Sequence, residues 1–397
     1  MTNYTTLGKI AAYSTKRVPI NTVTIDNYVT VDNLLQNKQG VVTASGMPSI
    51  SGQVPGYDAG NILVGNIRPY LKKIWFANRS GGASADVLVL SVKEGHSSRY
   101  VYYSMFLDDF FAHMMRGKKG TKMPRGDKRQ VLEYAIAVNE LPAQEKIAAV
   151  LSSLDNKIGL NNRINTELEA MIKTLYEYWF VQYDFPDVDG KPYRSSGGKM
   201  VYSEILKREI PEGWEAGELQ EIANITMGQS PPGNSYNDVG VGTIFFQGAT
   251  DFGARFPSVR EYTTQPSRLA KKGDILMSVR APVGTLNISG TDCCIGRGLA
   301  ALSSKDSCIT YLYWIMQNFK QVFDRRNGSG TTFGSITKDD LFTLPVVKPH
   351  RNVLDDFSKL TTPLFLKQNQ NEVESQKLAD LRDWLLPMLM NGQVTVK

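Results

Sequence analysis

The stretch Leu141–Phe180, LPAQEKIAAVLSSLDNKIGLNNRINTELEAMIKTLYEYWF, sets the strongest limit on what this chain can fold into. Pro142, Gln144 and Glu145 suit a first helical turn, and no other proline follows. Apolar residues recur at Ile147, Leu151, Leu154 and Ile158, then at Ile164, Leu168, Met171, Leu175 and Tyr178. Alternating steps of three and four describe a coiled-coil seam, narrower than the stripe of an ordinary surface helix. The phase slips between Ile158 and Ile164, around Asn161, Asn162 and Asn165, which predicts a local change of supercoil. At about 1.5 Å per residue the helix is roughly 60 Å long, and its seam requires a partner.

The partner lies in the same chain, from Pro349 onward. Phe357, Leu360, Leu364, Leu378, Leu381, Leu385 and Met388 keep one heptad phase, with Lys367, Asn371 and Glu374 at the seam positions between them. Both helices are thus apolar at the ends and polar in the middle. Asn165–Phe180 (NTELEAMIKTLYEYWF) also aligns without gaps to Asn371–Leu386 (NEVESQKLADLRDWLL). Pro363 departs from the repeat and is expected to start or kink the second helix.

The repeat extends to the rest of the chain. Residues 1–140 read as short strands and turns, with β-rich Asn61–Val64 and Asp86–Val92 and a buried helix over Arg99–Met115. Residues 214–347 show the same order: strands at Asp274–Val279 and Leu299–Leu302, then a helix at Thr310–Phe323. Leu7-Gly-Lys-Ile10 matches Leu219-Gln-Glu-Ile222. Gly60-Asn-Ile-Leu with Arg68-Pro69 matches Gly273-Asp-Ile-Leu with Arg280-Ala-Pro282, and Gly120-Thr121 matches Gly330-Thr331. The expected organisation is a globular domain (1–140), a long helix (141–182), a Gly/Pro/Ser-rich surface connector (183–213), a second globular domain (214–347) and a second long helix (348–397). The fold class is mixed α/β (α+β), an internal repeat with pseudo-two-fold symmetry whose two long helices pair antiparallel.

No catalytic constellation emerges. Ser230-Pro-Pro-Gly233 lacks the Asn and aromatic of a base-amine methyltransferase motif, and Gly328-Ser-Gly330 reads as turn glycine. Gly197-Gly-Lys199 is followed by Met200, so no phosphate loop forms. Asp187 and Asp189 crowd one turn rather than converging on metals. Three cysteines form neither a disulfide framework nor a metal-ligand spacing, which suits a reducing cytoplasm. No apolar run is long enough to span a bilayer, and MTNYTTLGKI lacks the apolar core of a signal peptide. The chain is therefore read as a binding protein. A formal charge of +6 is compatible with nucleic acid without establishing it.

Two basic, glycine-bearing loops carry the binding argument. His113–Arg129 (HMMRGKKGTKMPRGDKR) places Arg116, Lys118, Lys119, Lys122 and Arg125 around glycines. The equivalent Asp324–Lys338 (DRRNGSGTTFGSITK) carries Arg325, Arg326, Thr331, Thr332 and Lys338. Lysines, arginines, hydroxyls and backbone amides suit phosphates, and Arg or Gln can read base edges. A solvated charged loop is the plainer alternative; recurrence at the same place in both copies favours DNA. Arg68, Lys72 and Lys73 of GNILVGNIRPYLKK, Arg280, and Gln229, Ser230 and Arg297 of Met227–Tyr236 and Cys294–Leu299 complete the candidate DNA-binding set. For the last two segments, plain turn structure is an equal alternative.

Taken together, LPAQEKIAAVLSSLDNKI, ELEAMIKTLYEYWFVQYDFP, SSGGKM, IPEGWE, MGQSPPG and TKDDLFTLPV resemble the specificity (S) subunit of Type I restriction-modification systems. The resemblance implies two target recognition domains, each reading half of a bipartite double-stranded DNA sequence, with the paired helices as a spacer. It also implies a non-catalytic chain with no cofactor of its own. S-adenosylmethionine, ATP and Mg are then expected only on partners: methyltransferase (M) subunits, two of them, and restriction/motor (R) subunits. The first domain has no GQSPPG counterpart. The competing reading is a coiled-coil scaffold with protein-binding domains, and a self-sufficient modification enzyme is disfavoured by the missing cofactor loop.

Overall fold

A computed structural model describes residues 3–49, 51–118, 120, 122–328 and 335–396. The chain divides into two compact units, residues 1–159 with 376–397 and residues 160–375.

In the first unit, strand Asn3–Thr6 pairs antiparallel with Ala135–Val138. Between them a four-stranded sheet runs in the order Ala11–Tyr13, Val87–Val92, Ile62–Gly65, Ile74–Phe76. Every residue of Ile62–Gly65 is buried, as a central strand covered on both faces requires. A second sheet runs Arg17–Pro19, Gln53–Tyr57, Gly81–Ala83, Tyr28–Val29. The helix expected over Arg99–Met115 is two helices, Ser98–Phe106 and Asp108–Arg116. Leu107 is extended (ψ 144°), and Asp108 and Asp109 open a new first turn, where acidic side chains complement the helix dipole.

The second unit repeats the plan. Strand Glu215–Glu218 pairs with Pro345–Lys348, and a four-stranded sheet runs Ala223–Met227, Leu299–Ser304, Ile275–Ser278, Leu286–Ile288. Leu7–Ile10 and Leu219–Ile222 are the same short helix, each buried at both ends. Gly60 and Gly273 adopt φ of 90° and 95° at the turn into the matching strands, a conformation that a Cβ would strain. The helix expected at Thr310–Phe323 runs Ile309–Gly328. It therefore absorbs the start of the expected Asp324–Lys338 loop.

The first long helix spans Leu141–Tyr176 and ends in a π-helical turn, Glu177–Val181; the second spans Arg351–Met390. Pro363 lies inside the second helix and does not start it; it removes the N–H that the Lys359 carbonyl would accept. The buried face differs from the hydrophobic pattern. On the second helix it runs Leu354, Phe357, Thr361, Phe365, Gln368, Asn371, Ser375, then Leu386 and Leu389, while Leu360 and Leu381 are exposed. On the first helix Asn161 is buried and Asn165 half-buried, so the alternation of three and four continues through Ile158, Asn161, Asn165, Leu168 and Ile172. The expected phase slip is absent. Asn371 lies in the seam as expected, whereas Asn161 and Asn165 of the first helix and Thr361, Gln368 and Ser375 of the second join it outside the expected positions.

Pairing is antiparallel within each unit. In the second unit, Asn161 Nδ2 donates to Glu374 Oε2 (2.8 Å), whereas Asn165, four residues later, meets the earlier Gln368. Gln368 Nε2 donates back to the Asn165 carbonyl (2.9 Å), and Asn371 Nδ2 to Asn165 Oδ1 (2.9 Å). In the first unit, Ile147, Ala148 and Leu151 share a core with Leu386, Leu389 and Met390. Arg382 Nη1 reaches Asp155 Oδ1 at 2.7 Å.

The connector is more than surface. Phe185 stacks on Tyr193 and on Trp214 (4.7 and 4.9 Å between centroids), Asp184 accepts from the Ser195 amide and hydroxyl, and Met200–Ser203 pairs with Arg208–Pro211.

Cys293, Cys294 and Cys308 are free and buried. Burial pushes the Cys293 thiol up to about 11 and raises that of Cys308. A thiol reagent at neutral pH is expected to label none of the three in the folded chain on the timescale on which it labels all three in denaturant. Rapid labelling of a thiol before unfolding contradicts the packing described.

Candidate nucleic-acid interface

Four candidate arginines lie just beyond the matching strands Ile62–Gly65 and Ile275–Ser278. In the first unit, the chain leaving Ile62–Gly65 runs through Asn66, Ile67 and Arg68 and is met by the segment that precedes the short helix Lys128–Leu132. Ile67 bridges Arg125, the Arg68 N–H donates to the Pro124 carbonyl (2.8 Å), and the Gly126 N–H to that of Asn66 (3.2 Å). Arg68 is exposed and holds a left-handed backbone (φ 51°), as does Lys72 on the far side of the turn Pro69–Leu71. Such conformations cost a non-glycine residue energy and concentrate where geometry serves function. Arg125 is 59% exposed and pairs with Asp86 at 3.1 Å. A surface pair of this kind contributes at most about 1 kcal/mol, so a phosphate can displace it.

The second unit repeats the crossing. Beyond Ile275–Ser278, Arg280 bridges Ser335, and the Ile336 N–H donates to the Val279 carbonyl (2.9 Å), just ahead of the short helix Lys338–Phe342. The Val279 N–H donates to the Gly298 carbonyl (2.9 Å), so Arg280 lies against the turn that carries Arg297. The Arg297 N–H in turn reaches Ser230 Oγ (3.4 Å), and the Gln229 N–H the Ile295 carbonyl (3.0 Å). The structure thus brings Gln229, Ser230, Arg280 and Arg297 together, with both arginines and Gln229 exposed.

Other candidates fare differently. Lys73 is buried; its ammonium donates to the Val31 carbonyl, and burial pulls its pKa below the usual lysine range. It is a structural lysine, unavailable to phosphate. Lys72 is held by Asp108 (2.7 Å), which also binds Lys38 (2.9 Å). Arg116 is exposed but closes the helix Asp108–Arg116, where its charge suits the dipole, so the expected basic loop is helical at both ends. Lys118 and Lys122 are exposed. Lys338 opens its short helix with the ammonium over the Phe342 ring (5.1 Å). Arg325 and Arg326 lie on the helix Ile309–Gly328, and their side chains fall outside the description. Lys119, Thr331 and Thr332 lie outside the described residues.

Sequence reasoning missed Lys38, which shares Asp108 with Lys72, and Arg255, which reaches the second long helix. Neither sits in a basic cluster, so composition could not single them out. Among the described residues, no group of three or more His, Cys, Asp or Glu side chains is placed to hold a metal, and no helix is long and apolar enough to cross a membrane.

Two copies of one α/β plan, each presenting arginines beyond the same strand and each built onto a long helix pair, define a duplicated two-domain protein. The profile of the Type I restriction modification DNA specificity domain matches residues 4–170 and again 211–374, and the chain belongs to that family. It is 30% identical over 292 residues to the specificity subunit assigned to the MjaX type I restriction enzyme of Methanocaldococcus jannaschii. That stretch covers 70% of this chain and 64% of the relative, just under two thirds of its length. Identity to the HindI type I restriction enzyme specificity subunit of Haemophilus influenzae is 22% over 468 residues, covering 98% of each. The S subunit of a Type-I restriction-modification system from M. genitalium has the same fold, with a TM-score of 0.57 at 15% identity, covering 98% of this chain and 96% of that one.

Proposed function

We propose that this chain is the DNA-reading subunit of a Type I restriction-modification complex, each globular domain reading one half of a bipartite duplex sequence. The observation that carries this reading is the repeated crossing. Arg68 and Arg125 stand beyond Ile62–Gly65, and Arg280 and Arg297 beyond Ile275–Ser278; the bridges match Ile67 with Arg280 and Arg125 with Ser335, so the backbone frame repeats while the side chains on it differ. Equivalent frames with unlike loops suit two unlike half-sites. Paired helices that run through both units supply a spacer, as dimeric readers use their symmetry to meet two half-sites. In this reading the chain has no catalytic residue and works in the cytoplasm. Methyl transfer from S-adenosylmethionine belongs to two M subunits, and ATP- and Mg-dependent steps to R subunits.

Co-expression with the M subunit, followed by methylation-sensitive sequencing, is expected to give a two-part motif with unlike halves and a fixed gap. A single contiguous motif, or none, overturns the reading. In the same complex, Arg280→Ala with Arg297→Ala is expected to weaken target binding by about tenfold to a hundredfold at fixed salt, since a base contact contributes ~1–3 kcal/mol. If the pair contacts phosphate instead, the loss is uniform across sequences and the log–log salt slope flattens by about 0.9 per contact. Unchanged affinity and slope in a gel-shift titration would remove both arginines from the interface.

A further inference from the structure

Arg255 lies in the loop Phe252–Phe256 of the second unit, between strands Thr243–Phe246 and Glu261–Thr263. The loop is fastened to its own domain: Asn287 Nδ2 donates to the Gly253 carbonyl (3.0 Å), and the Ile288 N–H to the Arg255 carbonyl (2.8 Å). The Arg255 side chain leaves that domain and lands on the second long helix. Its Nε donates to Asn369 Oδ1 at 2.6 Å, and its guanidinium lies 4.3 Å from the centroid of the Phe365 ring. Phe365 and Asn369 are four residues apart and share one helix face. The guanidinium borders a cleft into which the two long helices contribute Asn165, Glu169, Gln368 and Glu372. Burial pushes the Glu372 carboxyl up and the Arg255 guanidinium down.

The polar band therefore faces two ways. Asn161, Asn165, Gln368 and Asn371 bond across the helix pair, while Asn369, beside them, bonds the recognition domain. A desolvated cation is a poor device for stability alone, and Nη2 of Arg255 is buried with no hydrogen-bond partner among the described residues. A well-packed apolar side chain on Phe365 would hold the loop without that desolvation. What an apolar contact cannot supply is direction, which the Nε–Oδ1 bond and the ring stacking fix together.

We infer that Arg255 is a positioning residue: it seats the second recognition domain at one angle on the polar band of the helices and so sets the offset at which that domain meets its half-site. The inference rests on the DNA-reading function proposed above. It is tested in the full chain co-expressed with its M subunit, using Arg255→Met, which keeps the volume and removes the charge and donor, and Asn369→Ala, which removes only the acceptor. Methylation-sensitive sequencing is expected to return both half-sites unchanged in sequence. Sites whose gap is longer or shorter by a base pair are expected to rise about tenfold in each variant, the equivalent of one charge-assisted hydrogen bond lost. A purely structural role would lower the melting temperature and leave the gap as strict as before. A wild-type two-part motif with the gap unchanged in both variants overturns this inference alone. If Arg255→Met fails to fold, Asn369→Ala decides, because alanine is well tolerated at a helix surface position. A wild-type complex with no two-part motif overturns the functional reading, and the inference with it.

Discussion

Asp155→Ala is expected to destabilise the first unit by about 3 kcal/mol, near the lower end for breaking a buried ion pair because both partners keep some solvent. Arg382 is 13% exposed and Asp155 26%. Arg382 Nη1 donates to Asp155 Oδ1 at 2.7 Å, the Tyr103 hydroxyl donates to Oδ2 at 2.6 Å, and the guanidinium stands 4.7 Å from the Phe106 ring centroid. Burial, and then the Asp155 charge, pushes the Tyr103 phenol far above its usual range, so it remains a donor at any working pH. Truncating Asp155 leaves the guanidinium, among the described residues, with the more exposed Asp383 as its counter-charge, and the phenol without its acceptor. Urea denaturation followed by far-UV circular dichroism should show a lower midpoint. Asp155→Leu with Arg382→Met should recover most of the loss, because an apolar pair carries no uncompensated charge. A single Asp155→Ala variant as stable as the wild type would show that this junction contributes nothing.

Phe357→Ala is expected to destabilise the second unit by about 3–5 kcal/mol, the range for truncating a fully buried phenylalanine. The ring is 0% exposed, packed edge-on against Phe180 (4.9 Å between centroids) and against Trp179 (5.6 Å). Leu360→Ala supplies the control. Phe357 and Leu360 both occupy the heptad phase that the apolar pattern selects, but Leu360 is 51% exposed, and its truncation should stay within about 0.5 kcal/mol. Thermal unfolding of the two variants separates these positions. Equal losses would show that Leu360 is packed in the seam beside Phe357, as hydrophobicity alone suggests.

That contrast marks what could be read in the residues. Both long helices, their antiparallel pairing, and the matching of Leu7–Ile10 with Leu219–Ile222 follow from periodicity and repetition, because those signals count apolar side chains and turn formers. The seam itself does not. At Thr361, Gln368 and Ser375 the second helix turns polar groups inward, where Asn161, Asn165 and Thr310 meet them, and a hydrophobic pattern registers such positions as gaps; Asn371 alone is placed by its heptad phase. The candidate site was legible to a similar depth. Arg68 and Arg280 could be found from their place in the repeat, and the structure sets both at the repeated crossing, Arg280 at the bridge position that Ile67 holds in the first unit. Lys73 could not be told from Lys72 by composition, because only folding brings the Val31 carbonyl to its ammonium. Arg255 carries no local signal either, since its partners lie more than a hundred positions away in the chain.

Each globular domain begins and ends on the same two-stranded ladder: Asn3–Thr6 against Ala135–Val138, and Glu215–Glu218 against Pro345–Lys348. An insert whose two ends lie side by side can be exchanged as a cassette, because the host sees only where the chain enters and leaves. Recombination between relatives within these ladders would therefore deliver a new globular domain onto unaltered long helices and, on the function proposed above, alter one half of a target in a single genetic event.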